Sequence, residues 1–376
     1  MTMQWKKEIT MKHQKLTIKQ KRILKNILVV VLLIISFPSY TPTQVIIKSD
    51  HILISNHLLS RPIECSSFDG LTYTGLDGKK YSHKNYVGVQ PLTISNTITF
   101  STSKTLYSAP FSYYATSNTV PAGSYHVTKE AGRYMYIEGK GWVSSQYVSI
   151  DVNNSIENTT GIPLYKNYMI PETSSHRTHY AMRPLYITIH TTDNTSKGAD
   201  ALSHAKLQYT GNVRSASWHY TVDNHSIYQS LPLNQQAGHA GDGVMPGNSA
   251  SIAIEICVNS DGHLYNAEKN AAKLAAALLK QYNLSVDQLR MHHDWSGKEC
   301  PRPMIEGQFG SMNWESFKKQ VYNYMRTVLK KEAHASFFNA YSIMIGFFSS
   351  IFSGSVLGKV IINSPFSNLA VKSSSL

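Results

Sequence analysis

Cysteine is scarce in this chain: three residues in 376. That number excludes a disulfide framework, so the fold must be held by burial and hydrogen bonding. Cys65 stands far from the other two and has no evident role. Cys257 falls in an apolar strand pattern, where a buried free thiol is expected. Charge is also sparse at 16%, while hydrophobic residues reach 42%, a balance that excludes wholesale disorder. Acidic residues are the rarer sign, 23 against 36 basic, giving a net charge of +13. Residues 1–26 hold eight basic side chains against Glu8, so +7 sits there and 13 − 7 = +6 is spread over the rest. A nucleic-acid partner is therefore not indicated; the modest surplus elsewhere suits anionic wall polymers or a membrane surface.

Long apolar runs are missing from the amino-terminal part. The run Ile27 to Ile35, followed by Ser36, Phe37 and Pro38, falls short of the ~20 residues of a membrane span. Behind its basic flank it reads as a secretory signal over 1–38. No clean small-x-small cleavage site follows, so an uncleaved signal anchor stays open. At the other end, residues 335–358 are uncharged and apolar but interrupted by Ser, Asn and Gly. The tail, 332–376, is expected to associate with a membrane; an amphiphilic hairpin packed on the protein is the alternative.

A chain of 376 residues exceeds one ordinary domain and implies two folded units with extensions. Residues 39–100, rich in Ser, Thr, Gly, Asn and Tyr, are expected to be a linker with some β structure. Over 101–150 short strands with turn signals emerge: Thr105 to Tyr107, Val120 to Gly123, Tyr134 to Ile137 and Gly141 to Val143. They predict a small all-β barrel module. The stretch from Leu106 to Val148, ending in Gly141-Trp142-Val143, resembles the bacterial Src-homology-3-like wall-binding modules. That resemblance implies a module that holds its partner domain near an insoluble substrate. Residues 151–161 are polar and aperiodic, a second linker.

The second domain is expected over 162–331. In Leu185-Tyr186-Ile187-Thr188-Ile189-His190 the aliphatics alternate, placing Leu185, Ile187 and Ile189 on one face and His190 on the other. Likewise Ile252, Ile254 and Ile256 oppose Ala253, Glu255 and Cys257. Trp218 to Val222 is a third candidate strand. Residues 266–283 carry Ala271, Leu274, Ala275, Leu278, Leu279 and Tyr282 at helical spacing. A further helix starts at Asn313, with Trp314, Phe317, Val321, Met325 and Val328 on one stripe. The combination predicts an α/β domain with a mixed central sheet flanked by helices.

The chemistry concentrates in His292-His293-Asp294-Trp295-Ser296-Gly297-Lys298-Glu299-Cys300-Pro301. Imidazole and thiolate are ligands that suit Zn2+, and a catalytic zinc takes three protein ligands and leaves one position open. This loop supplies two. His190, pointing away from its strand's aliphatic face, is the natural third. Glu255 is a carboxylate in an apolar strand, opposite the isoleucines, and needs a reason to be there.

The segments around His190, Trp218, Glu255 and His292 to Pro301 occur in an order and spacing that resembles the zinc N-acetylmuramoyl-L-alanine amidases of type 2. That family includes amidase-type phage lysozymes and peptidoglycan recognition proteins. The resemblance covers roughly residues 165–310. It implies zinc ligation by His190, His292 and Cys300, with His293 a variable neighbour. It also implies a catalytic Glu255 as proton acceptor and donor, and a catalytic Lys298 that stabilises the oxyanion. Trp218 stands where some relatives carry a catalytic tyrosine. Trp218, His219, His239 and Asn248 are the expected substrate contacts, and Ala253 replaces a more usual glycine. The implied reaction is hydrolysis of the bond between N-acetylmuramic acid and L-alanine in peptidoglycan, outside the cell or at its wall, by an autolysin or a phage lysin. A peptidoglycan receptor that binds without cutting and a cytosolic amidase recycling wall fragments are the alternatives.

Overall fold

The computed structural model describes residues 51–327, apart from 154–155, 157–159, 212–213 and 215. The expected signal at 1–38 and tail at 332–376 lie outside the described residues. No helix among the described residues is long and apolar enough to cross a membrane.

Residues 51–100, read as a linker with some β structure, hold six strands. The first five are β1 (Ile52–Ser55), β2 (Ile63–Phe68), β3 (Thr72–Gly75), β4 (Lys80–Ser82) and β5 (Val87–Val89). They form an antiparallel sheet in the order β4-β3-β2-β1-β5, with Ile52, Ile54, Cys65 and Tyr73 inside it. The sixth, β6 (Leu92–Phe100), alternates buried and exposed along its whole length and belongs to the next sheet. It continues with β7 (Lys104–Tyr107), β8 (Ala115–Val120), β9 (Gly123–Ala131), β10 (Tyr134–Ile137), β11 (Gly141–Ser144) and β12 (Ser149–Ile150). The expected run Val120 to Gly123 is the turn between β8 and β9. The sheet order β12-β6-β9-β10-β11-β7-β8 has β12 and β8 at its ends and no closing pair among the described residues. The region is β-rich as expected, but its pairings do not describe a closed barrel.

The second unit is built on a mixed six-stranded sheet. Its strands are β13 (Leu164–Tyr165), β14 (Tyr186–Thr191), β15 (Tyr220–Val222), β16 (Ile227–Gln229), β17 (Ser251–Ile256) and β18 (Leu289–Met291). The order is β13-β16-β15-β17-β14-β18, with β15, β17, β14 and β18 mutually parallel and β15 and β16 antiparallel. Helices α1 (Ala201–Thr210), α2 (Pro246–Ser249), α3 (Leu264–Gln281), α4 (His293–Ser296) and α5 (Arg302–Glu306) follow in chain order. A last helix, α6, covers 314–327, and Asn313 caps it by accepting the Ser316 N–H at 2.8 Å.

The side-chain period of two puts Ile187, Ile189, Ile252, Ile254, Tyr220 and Val222 against α3 and α6. There Ala271, Leu274, Ala275, Leu278, Phe317 and Val321 are buried in the same cluster. Leu185 departs from the expected face. The Ala250 carbonyl accepts from both the Leu185 and Tyr186 N–H groups, and Leu185 joins a different core, with Leu92, Ile98 and Val127 of the β-rich unit. The two units therefore share a hydrophobic cluster.

Candidate active site

In parallel strands, residues in register present side chains to the same face. His190 of β14 lies beside Glu255 of β17, which lies beside Thr221 of β15, all on the face away from α3. His292 follows β18 directly, and its N–H donates to the Ile189 carbonyl at 3.2 Å. The site thus sits at the carboxyl ends of three adjacent parallel strands, where chain crossovers leave an open crevice. The 293–300 loop then returns Cys300 to the same point, with the His293 N–H donating to the Cys300 carbonyl at 2.9 Å.

His190, His292 and Cys300 converge, each offering one ligand atom, all within 4.8 Å of one another and all buried. The two Nδ1 atoms are 3.0 Å apart, and Cys300 Sγ is 3.9 Å from His190 Nδ1. Tetrahedral zinc bonds put nitrogen and sulfur ligands about 3.3–3.6 Å apart, so the donor set and spacing fit Zn2+. The electrostatics agree. Burial drives His190 well below its ordinary pKa, helped by His239, His292 and Lys298, and keeps it neutral with a lone pair to give. Burial, with Lys298 adding, takes His292 down to about 4 against an opposing hydrogen bond to the Ala240 backbone. Burial also pushes the Cys300 thiol up to about 12, so a thiolate there requires a cation to hold it. His293, the alternative in the adjacent pair, is exposed on α4.

The tautomers follow. His190 Nε2 is 3.0 Å from His239 Nδ1. For His190 Nδ1 to bind a metal, its proton must reside on Nε2 and be donated to His239, an outer contact of the kind that orients metal-ligating imidazoles. His239 is buried.

Glu255 is mostly buried, with Oε1 3.9 Å from His190 Nδ1 and Oε2 unpaired. Burial raises its pKa to about 7, with the Lys298 ammonium pulling the other way and Asp193 adding. Lys298 itself is exposed, and its charge acts on His190, His292 and Glu255. A carboxylate poised near neutrality beside an exposed cation and a metal-type donor set is suited to move a proton.

The other expected contacts are placed differently. His219 is fully buried; its Nδ1 accepts the Ala253 N–H at 3.1 Å and its Nε2 meets the Gln235 carbonyl at 2.9 Å. Trp218 is buried, and its Nε1 donates to Thr221 Oγ1 at 2.7 Å. Both brace β15 and the site floor. Asn248 Oδ1 accepts the His239 and Ala240 N–H groups at 2.7 Å each, and its Nδ2 donates to the Gly243 carbonyl. It staples the loop that carries His239.

Three residues escaped the sequence reading. Asp242 accepts the Gly247 N–H at 2.7 Å and the Asn248 N–H at 3.2 Å, and burial takes it up to about 7. Trp295 donates from Nε1 to Thr188 Oγ1 at 2.9 Å. Gly247 lies between these two, where a Cβ would sit 2.5 Å from Asp242 Oδ2 and 2.7 Å from Trp295 Cγ, so only glycine fits. Trp295 was visible inside the His292 to Pro301 motif; the other two carried no local signal.

Two imidazoles and a thiol with a carboxylate beside them, on a mixed sheet backed by helices, define the class: an α/β domain built around a zinc centre. Comparison with known proteins points to the same chemistry. The profile of the N-acetylmuramoyl-L-alanine amidases matches residues 180–303. The N-acetylmuramoyl-L-alanine amidase XlyA of Bacillus subtilis is 48% identical over 152 residues, covering 40% of this chain and 49% of that protein. CwlH of the same organism is 46% identical over 153 residues, covering 40% and 58%. The solved catalytic domain of XlyA is 44% identical over 43% of this chain and 99% of that chain, with a TM-score of 0.40. Residues 180–303 thus match the profile of the N-acetylmuramoyl-L-alanine amidases, and about 150 residues of the chain resemble curated members of that family. It spans about half the length of the curated relatives it matches.

Proposed function

We propose that this protein hydrolyses peptidoglycan at the amide between N-acetylmuramic acid and L-alanine, acting outside the cell or at its wall. The observation that carries the reading is the convergence of His190, His292 and Cys300 next to an unpaired, buried Glu255 oxygen. His190, His292 and Cys300 would hold a zinc ion, which would supply Lewis acidity at the scissile carbonyl. Glu255 Oε2 takes the proton of the attacking water and returns it to the leaving amine. The Lys298 ammonium stabilises negative charge on the carbonyl oxygen as the carbon becomes tetrahedral. His239 fixes the tautomer of His190, while Trp218 and His219 hold the floor on which Glu255 stands.

The β-rich region contributes a wall-facing surface in this reading. An export signal at 1–38 and a membrane-associated tail at 332–376 complete the proposal.

The test is mass spectrometry of purified peptidoglycan digested by the full chain, with and without a zinc chelator. Release of stem peptides with a free amino-terminal L-alanine, abolished by the chelator, supports the reading. Zinc and peptidoglycan binding without such release would instead make the protein a receptor.

A further inference from the structure

Residues 236–248 run along the metal centre, and the β-rich unit holds them at several points. Gln236 Nε2 donates to the Gly132 carbonyl at 2.7 Å, in the turn between β9 and β10. Val244 packs on the cluster of Val89, Phe111, Ala131 and Trp142. Met245 is buried among Ile52, Ile54, Cys65 and Tyr73 of the first sheet. The fit is close: a Cβ at Gly132 would lie 3.1 Å from the Val244 carbonyl oxygen. Between these anchors the loop meets two metal ligands. His239 Nδ1 meets His190 Nε2 at 3.0 Å, and the Ala240 backbone engages the His292 ring. A second contact comes from the turn after β2, where a Cβ at Gly70 would lie 3.1 Å from the carbonyl oxygen of Ser296, within the 293–300 loop.

We infer that the β-rich unit is a positioning element of the metal centre: by anchoring Val244 and Met245 it keeps His239 and the Ala240 backbone on His190 and His292. Packed interiors respond to the loss of a few methylenes by shifting or leaving a cavity, and either outcome loosens the loop at its anchor. Outer contacts of metal ligands commonly govern metal affinity by 10–100-fold. The unit thus does more than concentrate the enzyme on its substrate; it completes the site. This inference rests on the zinc reading of the site but not on the identity of the substrate.

The experiment replaces the metal by Co2+ in the full chain and measures its affinity and visible absorption in Met245→Ala, Met245→Leu and Phe317→Ala. Phe317 lies across the sheet from the site and is the control for mere loss of stability. The expected result is roughly tenfold weaker Co2+ binding and an altered absorption band in Met245→Ala. Met245→Leu should restore both, and Phe317→Ala should leave both unchanged. Should Met245→Ala fail to unfold cooperatively, Val244→Ala, a smaller cut on the same loop, supplies the comparison. Wild-type affinity and absorption in the alanine variants, or an equal change in Phe317→Ala, would overturn the inference. A wild-type chain that binds Co2+ as described but releases no L-alanine-terminated peptide would sink the amidase reading and leave the positioning role standing.

Discussion

Glu130 sits at the seam between the two units. It is buried; its Oε2 accepts the Arg183 N–H at 3.1 Å, and its Oε1 has no partner. Burial takes its pKa to about 8, against the opposing pull of the Arg183 N–H and guanidinium. The ordinary value is 4.5, so between pH 4.5 and about 8 the folded chain holds more protons than the unfolded chain. Folding stability must then fall as pH rises through that window. The ceiling is (8 − 4.5) × 1.36, about 5 kcal/mol, and water access and relaxation reduce it to a few kcal/mol. Glu130→Gln keeps an acceptor for the Arg183 N–H and removes the titration. Urea unfolding followed by circular dichroism at pH 5 and pH 9 should show the variant close to wild type at the lower pH. At the higher pH it should be more stable by ~2 kcal/mol or more, with an unchanged denaturant slope. An equal difference at both pH values, or a variant less stable at pH 9, would refute the reasoning and make Glu130 a net-favourable ion-pair partner of Arg183.

Two further predictions concern the catalytic unit. Phe317→Ala should cost about 3–5 kcal/mol, because the ring is fully buried between α6 and the sheet; a loss under ~1 kcal/mol by urea unfolding would contradict that packing. Lys298→Ala should leave the unfolding free energy within ~0.5 kcal/mol, since the side chain is exposed, while kcat on peptidoglycan falls at least about 10²-fold; unchanged kcat would remove Lys298 from the chemistry.

Much of the site was legible because its ligands follow local rules. His190 faces away from Ile187 and Ile189 by simple alternation, and His292 and Cys300 belong to one loop. Glu255 betrayed itself as a carboxylate in an isoleucine strand. What remained hidden depends on contacts between distant segments. The His239–His190 bond joins residues 49 positions apart, and nothing near His239 signals it. Trp218 and His219 were expected in the cleft only from the family resemblance, and the internal bonds their polar atoms make to Thr221, Gln235 and Ala253 carry no sequence signal. In β6 the alternation Leu92, Ile94, Ile98, Phe100 was present, but the inward Asn96 interrupts it. Asn96 is there to donate to the Asp151 carbonyl and accept from the Arg183 guanidinium across the seam. The docking of the two units was equally invisible, since Leu185, Ala181 and Ala250 look like ordinary core residues of their own domain.

The central claim is that Glu255 moves the proton at a zinc centre built from His190, His292 and Cys300. The most direct test measures bound zinc and the release of L-alanine-terminated peptides side by side for wild type and Glu255→Gln. The account predicts one zinc per chain in both proteins and a rate in the variant lower by about 10²–10⁴-fold. A variant that keeps its zinc and cleaves at the wild-type rate would contradict it.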